Sequence, residues 1–90
     1  MQYIPLYILH ICCNFAANFI FMTTLEKIGL AIKTRRKELG LSQERLAFEA
    51  NLDRTYIPKV EAGQINITIK SLEKIASALR VPINYFFLSL

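Results

Sequence analysis

The side chains best suited to chemistry lie between positions 42 and 66. Arg54 carries a planar fork of donors that can take guanine O6 and N7 together. Thr55 beside it offers a hydroxyl, and a methyl for a thymine methyl. Lys59 follows about one helical turn later on the same face. Tyr56 and Gln43 suit phosphate oxygens, Gln43 standing at a helix start where backbone N–H groups and the dipole favour anions. The hydroxyl of Ser42 adds a further phosphate contact there. Cations together with directed donors are what a protein needs to hold a phosphate backbone and read base edges. Plainer readings stand beside these: Arg54 and Lys59 as solvated charges, Tyr56 as packing against the preceding helix.

Other chemistries lack their residues. The sequence has no Ser/His/Asp set, no glycine-rich phosphate loop and no metal constellation, so neither catalysis nor a cofactor is expected. No small-molecule substrate is evident. Cys12 and Cys13 are adjacent, whereas structural zinc draws on separated ligand pairs. They read as apolar thiols in a reducing compartment.

Helices must position the donors. Residues 41–63, LSQERLAFEANLDRTYIPKVEAG, read as two short helices joined by a tight turn. Ser42 is an N-cap, and Leu41 with Leu46 makes a hydrophobic staple. Leu46, Ala47 and Ala50 share one face of a helix over 43–50. Ala47 is small where two helices must cross closely. Asn51 tolerates the left-handed conformation that ends a helix sharply. Asp53 is a second cap candidate, and Ile57 and Val60 give a helix over 54–62 its buried stripe. This is a helix-turn-helix pattern, whose second helix can lie in the major groove. Pro58 lies inside that helix. With Asp53 as cap it costs one backbone bond and crowds the Arg54 carbonyl; with a start at Thr55 it falls in the first turn and costs little.

Flanking helices complete the pattern. One spans 25–39, capped by Thr24, with Glu26 at its positive end and Leu25, Ile28, Ile32 and Leu39 as its buried stripe; Gly40 ends it. Arg36 falls on that stripe, and Glu61 falls on the stripe four after Ile57. A charge on an apolar face needs a partner, so the two are expected to pair, the alternative being that one snorkels to solvent. Arg35 and Lys37 read as a solvated face. Gly63 precedes a loop over 64–67. Thr68 then caps a helix whose stripe is Ile69, Leu72, Ile75, Ala76 and Leu79. Arg80 stands where Gly or Asn is more usual. Pro82 starts a short last helix over 83–88.

On these motifs, residues 25–87 resemble the lambda-repressor-like (Xre-type) helix-turn-helix family. The run DRTYI, followed by VEAG, INI and SLEKIASAL, is most similar to the controller proteins of restriction-modification systems. The resemblance implies an all-α, compact five-helix domain over 23–90. It implies a sequence-specific DNA-binding transcriptional regulator, cytoplasmic and homodimeric on a palindromic operator of double-stranded DNA. It implies base contacts from Arg54, Thr55 and Lys59, phosphate contacts from Gln43, Tyr56 and Asn66, and the same Arg36–Glu61 pair. One face of a short helix can bury about half of the C-terminal apolar run. Tyr85, Phe86, Phe87 and Leu88 are therefore the expected dimer interface. Phe48, Pro58 and a loop with Gln64 and Ile65 in place of cations depart from the family pattern. The loop implies modest affinity that leans on dimerisation; Pro58 bears on the aim of Arg54 and Thr55, and Phe48 reads as a surface aromatic or as covering part of the N-terminal segment.

Composition agrees and adds one puzzle. Ninety residues allow one domain, and a net charge of +4 favours a polyanionic partner. All eleven Lys and Arg and all seven Asp and Glu stand at or after Glu26. Residues 1–22 form an apolar extension with three readings. Translation starts at Met22, or the segment spans a membrane, or it packs on the domain or a second subunit. A secretory signal does not fit, because the start has no basic residue and no small-residue cleavage site. Two other function classes stay open: an antitoxin or other partner-binding module using the apolar C-terminus, and a regulator anchored in a membrane by residues 1–22.

Overall fold

Thr23 opens the first helix. Its hydroxyl accepts from Glu26 N at 3.1 Å while Glu26 Oε1 accepts from Thr23 N at 3.0 Å, a reciprocal capping box. The computed structural model describes residues 22–88. The readings placed on residues 1–21, among them Cys12 and Cys13, lie outside the described residues. Helix α1 spans Thr24–Glu38. The expected cap, Thr24, is thus its first residue, because the box needs a hydroxyl three before Glu26. Gly40 closes the helix at φ 71°, with Leu41 N donating to Arg36 O and Gly40 N to Lys37 O, both at 3.0 Å.

Helix α2, Gln43–Ala50, starts where Ser42 Oγ accepts from Arg45 N at 3.0 Å and ends at Asn51, left-handed at φ 57°. Helix α3 is Tyr56–Glu61, shorter than the expected 54–62. Pro58 has no N–H for the Arg54 carbonyl, so residues 54 and 55 form a turn, with Tyr56 N donating to Asp53 O at 3.0 Å. Pro58 then sits in the first turn, where its missing donor is not needed. Helix α4, Ile69–Leu79, is capped by Thr68, whose Oγ1 accepts from Ser71 N at 3.1 Å. Arg80 ends α4 in the left-handed region at φ 60°.

Two further sequence expectations need correction. Ile69 is 60% exposed, because it is the first residue of α4 and the buried stripe begins only at Leu72. The last element, Ile83–Phe87, is a 3₁₀ helix, giving four α-helices among the described residues and not five. Five residues behind Pro82 are too few to nucleate an α-helix, and Tyr85 N closes a tighter turn on Pro82 O at 3.0 Å.

All the elements share one core. Ile28 and Ile32 of α1, Leu46, Ala47 and Ala50 of α2, Ile57 and Val60 of α3, and Leu72, Ile75, Ala76 and Leu79 of α4 meet around Phe86. Helix α1 packs on α3, and α2 on both α3 and α4. At Gly29 the α1 and α3 backbones come so close that a Cβ would stand 2.5 Å from the carbonyl oxygens of Val60 and Glu61. Among the described residues no helix is long and apolar enough to cross a membrane.

Candidate nucleic-acid interface

A single carboxylate ties the three helices nearest the interface. Glu61, at the end of α3, accepts from Arg36 Nε at 2.7 Å and from Arg36 Nη2 at 3.1 Å. It also accepts from Gln43 Nε2 at 3.0 Å. Arg36 Nη1 donates to Leu41 O at 2.9 Å, closing the set. The Glu61 side chain is only 4% exposed, so these charge-assisted bonds act where water screens little. They hold the start of α2 against the end of α3 and so fix the angle between the two helices of the motif.

That leaves Gln43 with a double position. One amide hydrogen is held by Glu61, and the other is uncommitted in the bonds described, as is the backbone N–H at the start of α2. The Ser42 oxygen caps the helix, and its own hydrogen is available. Both residues stand where phosphates were expected.

The turn into α3, the outer surface of α3 and the loop after it carry the other expected residues. Arg54 is exposed at 73%, with Nη1 3.7 Å from Glu44 Oε1, a loose pair in solvent. Thr55 is exposed, and both its backbone N and its Oγ1 donate to Asp53 Oδ1 at 2.8 Å. The backbone bond, then the hydroxyl bond, hold the Asp53 carboxyl below the usual carboxylate range, with Arg54 and Lys59 adding to it. Lys59 is exposed, and Tyr56 is half-buried against the core. Beyond α3, Ile65 and Ile67 pack onto the core while Gln64 and Asn66 are exposed between and before them. Ser42 and Gln43 thus stand at the start of α2, Arg54 and Thr55 on the turn into α3, Lys59 further along α3 and Asn66 on the following loop.

Away from this surface two assignments change. Phe86 is fully buried in the core of its own chain, its ring edge-on to Tyr85 at 5.6 Å, so it has no surface to give a partner. Phe87 and Leu88 are exposed, while Tyr85 is half-buried. Arg35 is not simply solvated: its Nε donates to Leu79 O at 3.1 Å, tying α1 to the end of α4. Phe48 is an exposed surface aromatic, with the Arg45 guanidinium 5.4 Å above its ring.

Glu44 beside Arg54 and Gly29 behind α3 were not singled out from sequence. No local pattern marks Glu44, since its neighbour lies ten positions on, in the turn before α3. Gly29 carries a signal of a sort: a glycine inside a strong helix is costly unless a close approach requires it.

Residues 32–86 match the helix-turn-helix family. The chain belongs to that family. Among helix-turn-helix relatives, the control protein C.BamHI of Bacillus amyloliquefaciens is 47% identical over 47 residues. That match covers 52% of this chain and 58% of C.BamHI, so the chain spans a little over half the length of that relative. The restriction-modification controller protein C.AhdI from Aeromonas hydrophila has a similar structure, with a TM-score of 0.69 at 41% identity, covering 70% of this chain and 96% of that one. The structure of C.Esp1396I bound to a 19 base pair DNA duplex gives 0.68 at 47% identity, over 73% of this chain and 88% of that one. The resemblance to controller proteins read from DRTYI and its flanking motifs thus holds in both sequence and backbone, and the family is one of regulators, not enzymes.

Proposed function

We propose that this protein is a DNA-binding transcriptional regulator of the restriction-modification controller type, acting in the cytoplasm as a homodimer on a palindromic operator. The observation that carries the reading is the division of α3 and the turn that leads into it. Ile57 and Val60 anchor its inner face in the core, and Glu61 fastens its end, while Arg54, Thr55 and Lys59 face solvent. A short rigid helix presenting an ammonium, with a guanidinium and a hydroxyl on the turn that leads into it, suits a major groove. The DNA complex of C.Esp1396I supports duplex DNA as the partner. The exposed Phe87 and Leu88 support a second copy, which would place two copies of α3 about one DNA turn apart.

Selection of sites from a random duplex pool, with the full chain, tests the reading. An enriched inverted repeat is the expected result. On that repeat, Arg54→Ala is expected to weaken specific binding by about 1–3 kcal/mol and to relax one position in each half. No enrichment by the folded chain would overturn DNA reading and favour a protein partner at the C-terminus.

A further inference from the structure

The two bonds that Thr55 gives to Asp53 settle what Thr55 can still do. An ionised carboxylate accepts and cannot donate. The Thr55 hydroxyl, 2.8 Å from Asp53 Oδ1, must therefore direct its one hydrogen at that oxygen. The backbone N–H of Thr55 holds the same oxygen at 2.8 Å, so the side chain of Asp53 cannot swing away without losing both bonds. What remains on Thr55 Oγ1 is a pair of acceptor sites and, beside it, a methyl group. A free threonine hydroxyl rotates to suit a donor or an acceptor and so carries little sequence information. A hydroxyl whose hydrogen is already placed is different.

We propose that Asp53 acts as a positioning residue that makes Thr55 an acceptor-only reader, selecting an amino base, adenine or cytosine, over a keto base, guanine or thymine, on the strand it faces. The inference rests on the reading of α3 and the turn that leads into it as the base-contacting segment. Adenine N6 and cytosine N4 are the major-groove donors, while guanine O6 and N7 and thymine O4 are acceptors. Each base pair holds one amino and one keto base, so the selection distinguishes a pair from its reverse. A keto base would set acceptor against acceptor, or force the hydroxyl off Asp53. The Asp53 carboxyl sits below its usual range beside Arg54 and Lys59, so it is ionised at neutral pH and the polarity is constant there.

The test compares base preferences of the full wild-type chain with those of Asp53→Ala, Asp53→Asn and Thr55→Val, by selection from random duplexes. Wild type is expected to favour A and C over G and T about tenfold at one position of each half-site, the discrimination of a single hydrogen bond. Asp53→Ala and Thr55→Val should flatten that position while the rest of the repeat persists. Asp53→Asn should keep the preference, because its amide oxygen can accept the same two hydrogens. A second measurement needs no variant: replacing the exocyclic amino group of the favoured base by hydrogen should weaken wild-type binding about tenfold. A keto preference at the position that Thr55→Val flattens would overturn the proposal, as would an undiminished preference in folded Asp53→Ala or an unchanged affinity for the altered base. If Thr55→Val changes no position while Arg54→Ala still does, Thr55 touches no base and the inference falls, with the reading of α3 intact. If neither changes any position, that reading falls too.

Discussion

Glu61 shows how much one buried carboxylate can organise. It takes two bonds from Arg36 of α1 and one from Gln43 of α2. Removing it strands a buried guanidinium, a far larger penalty than losing a surface pair. Glu61→Ala is expected to destabilise the fold by about 3 kcal/mol, read as a shift of the urea midpoint. Replacing both partners, Arg36→Met with Glu61→Leu, is expected to cost less than Glu61→Ala, because no charge is then left unpaired. That Arg36 and Glu61 need partners is legible in the sequence, since each interrupts an apolar stripe. The third member is not legible, because Gln43 stands at an ordinary helix start and meets Glu61 only across the fold. Arg35 is similar: among the neighbouring charges Arg36 and Lys37, nothing local marks it as the one that reaches the Leu79 carbonyl.

The helices owe their ends to near neighbours and their spacing to one small residue. Gly29→Ala would push a Cβ into the carbonyl oxygens of Val60 and Glu61, separating α1 from α3. The expected cost is about 1–3 kcal/mol in thermal or urea unfolding, despite the better helix propensity of alanine. The capping box at Thr23 makes a pH-dependent contribution. Backbone and then hydroxyl bonds from Thr23 lower the Glu26 pKa from 4.5. A lowered carboxylate pKa stabilises the fold above its unfolded value, and the contribution is lost as pH falls through the folded value. Thr23→Ala is therefore expected to lower the melting temperature by about 5 °C near neutral pH, and by less in acid, where wild type has itself lost the ionised Glu26. Helix ends at Ser42, Asn51, Gly63 and Thr68 are legible because capping is a matter of three or four residues. The start of α3 and the last element are less so, since proline chemistry at Pro58 and Pro82 leaves more than one local solution.

At the scale of the whole molecule, the C-terminus divides. Phe86 completes the core, while Phe87 is 40% and Leu88 77% exposed. In the homodimer proposed above, a charge at Leu88 would be buried without a partner, yet in the single chain it would be solvated. Leu88→Glu is expected to leave the melting of the single chain nearly unchanged, to reduce the mass in sedimentation equilibrium to one chain, and to weaken binding to an inverted repeat about 100-fold. A mass still equal to two chains would place the subunit contact elsewhere.

The sequence by itself determined the helical class, the helix-turn-helix, its family and the expected readers at Arg54, Thr55 and Lys59. The class and the motif follow from periodicity and from caps, which are interactions between residues a few positions apart; the family and the expected readers follow from the resemblance of the DRTYI run and its flanking motifs. Tertiary structure alone decided which C-terminal aromatic turns inward, that Gln43 joins the Arg36–Glu61 pair across 18 positions, and that Arg35 reaches a carbonyl 44 positions away. Contacts of that separation depend on how several apolar faces fill one core together, which no short window of sequence contains.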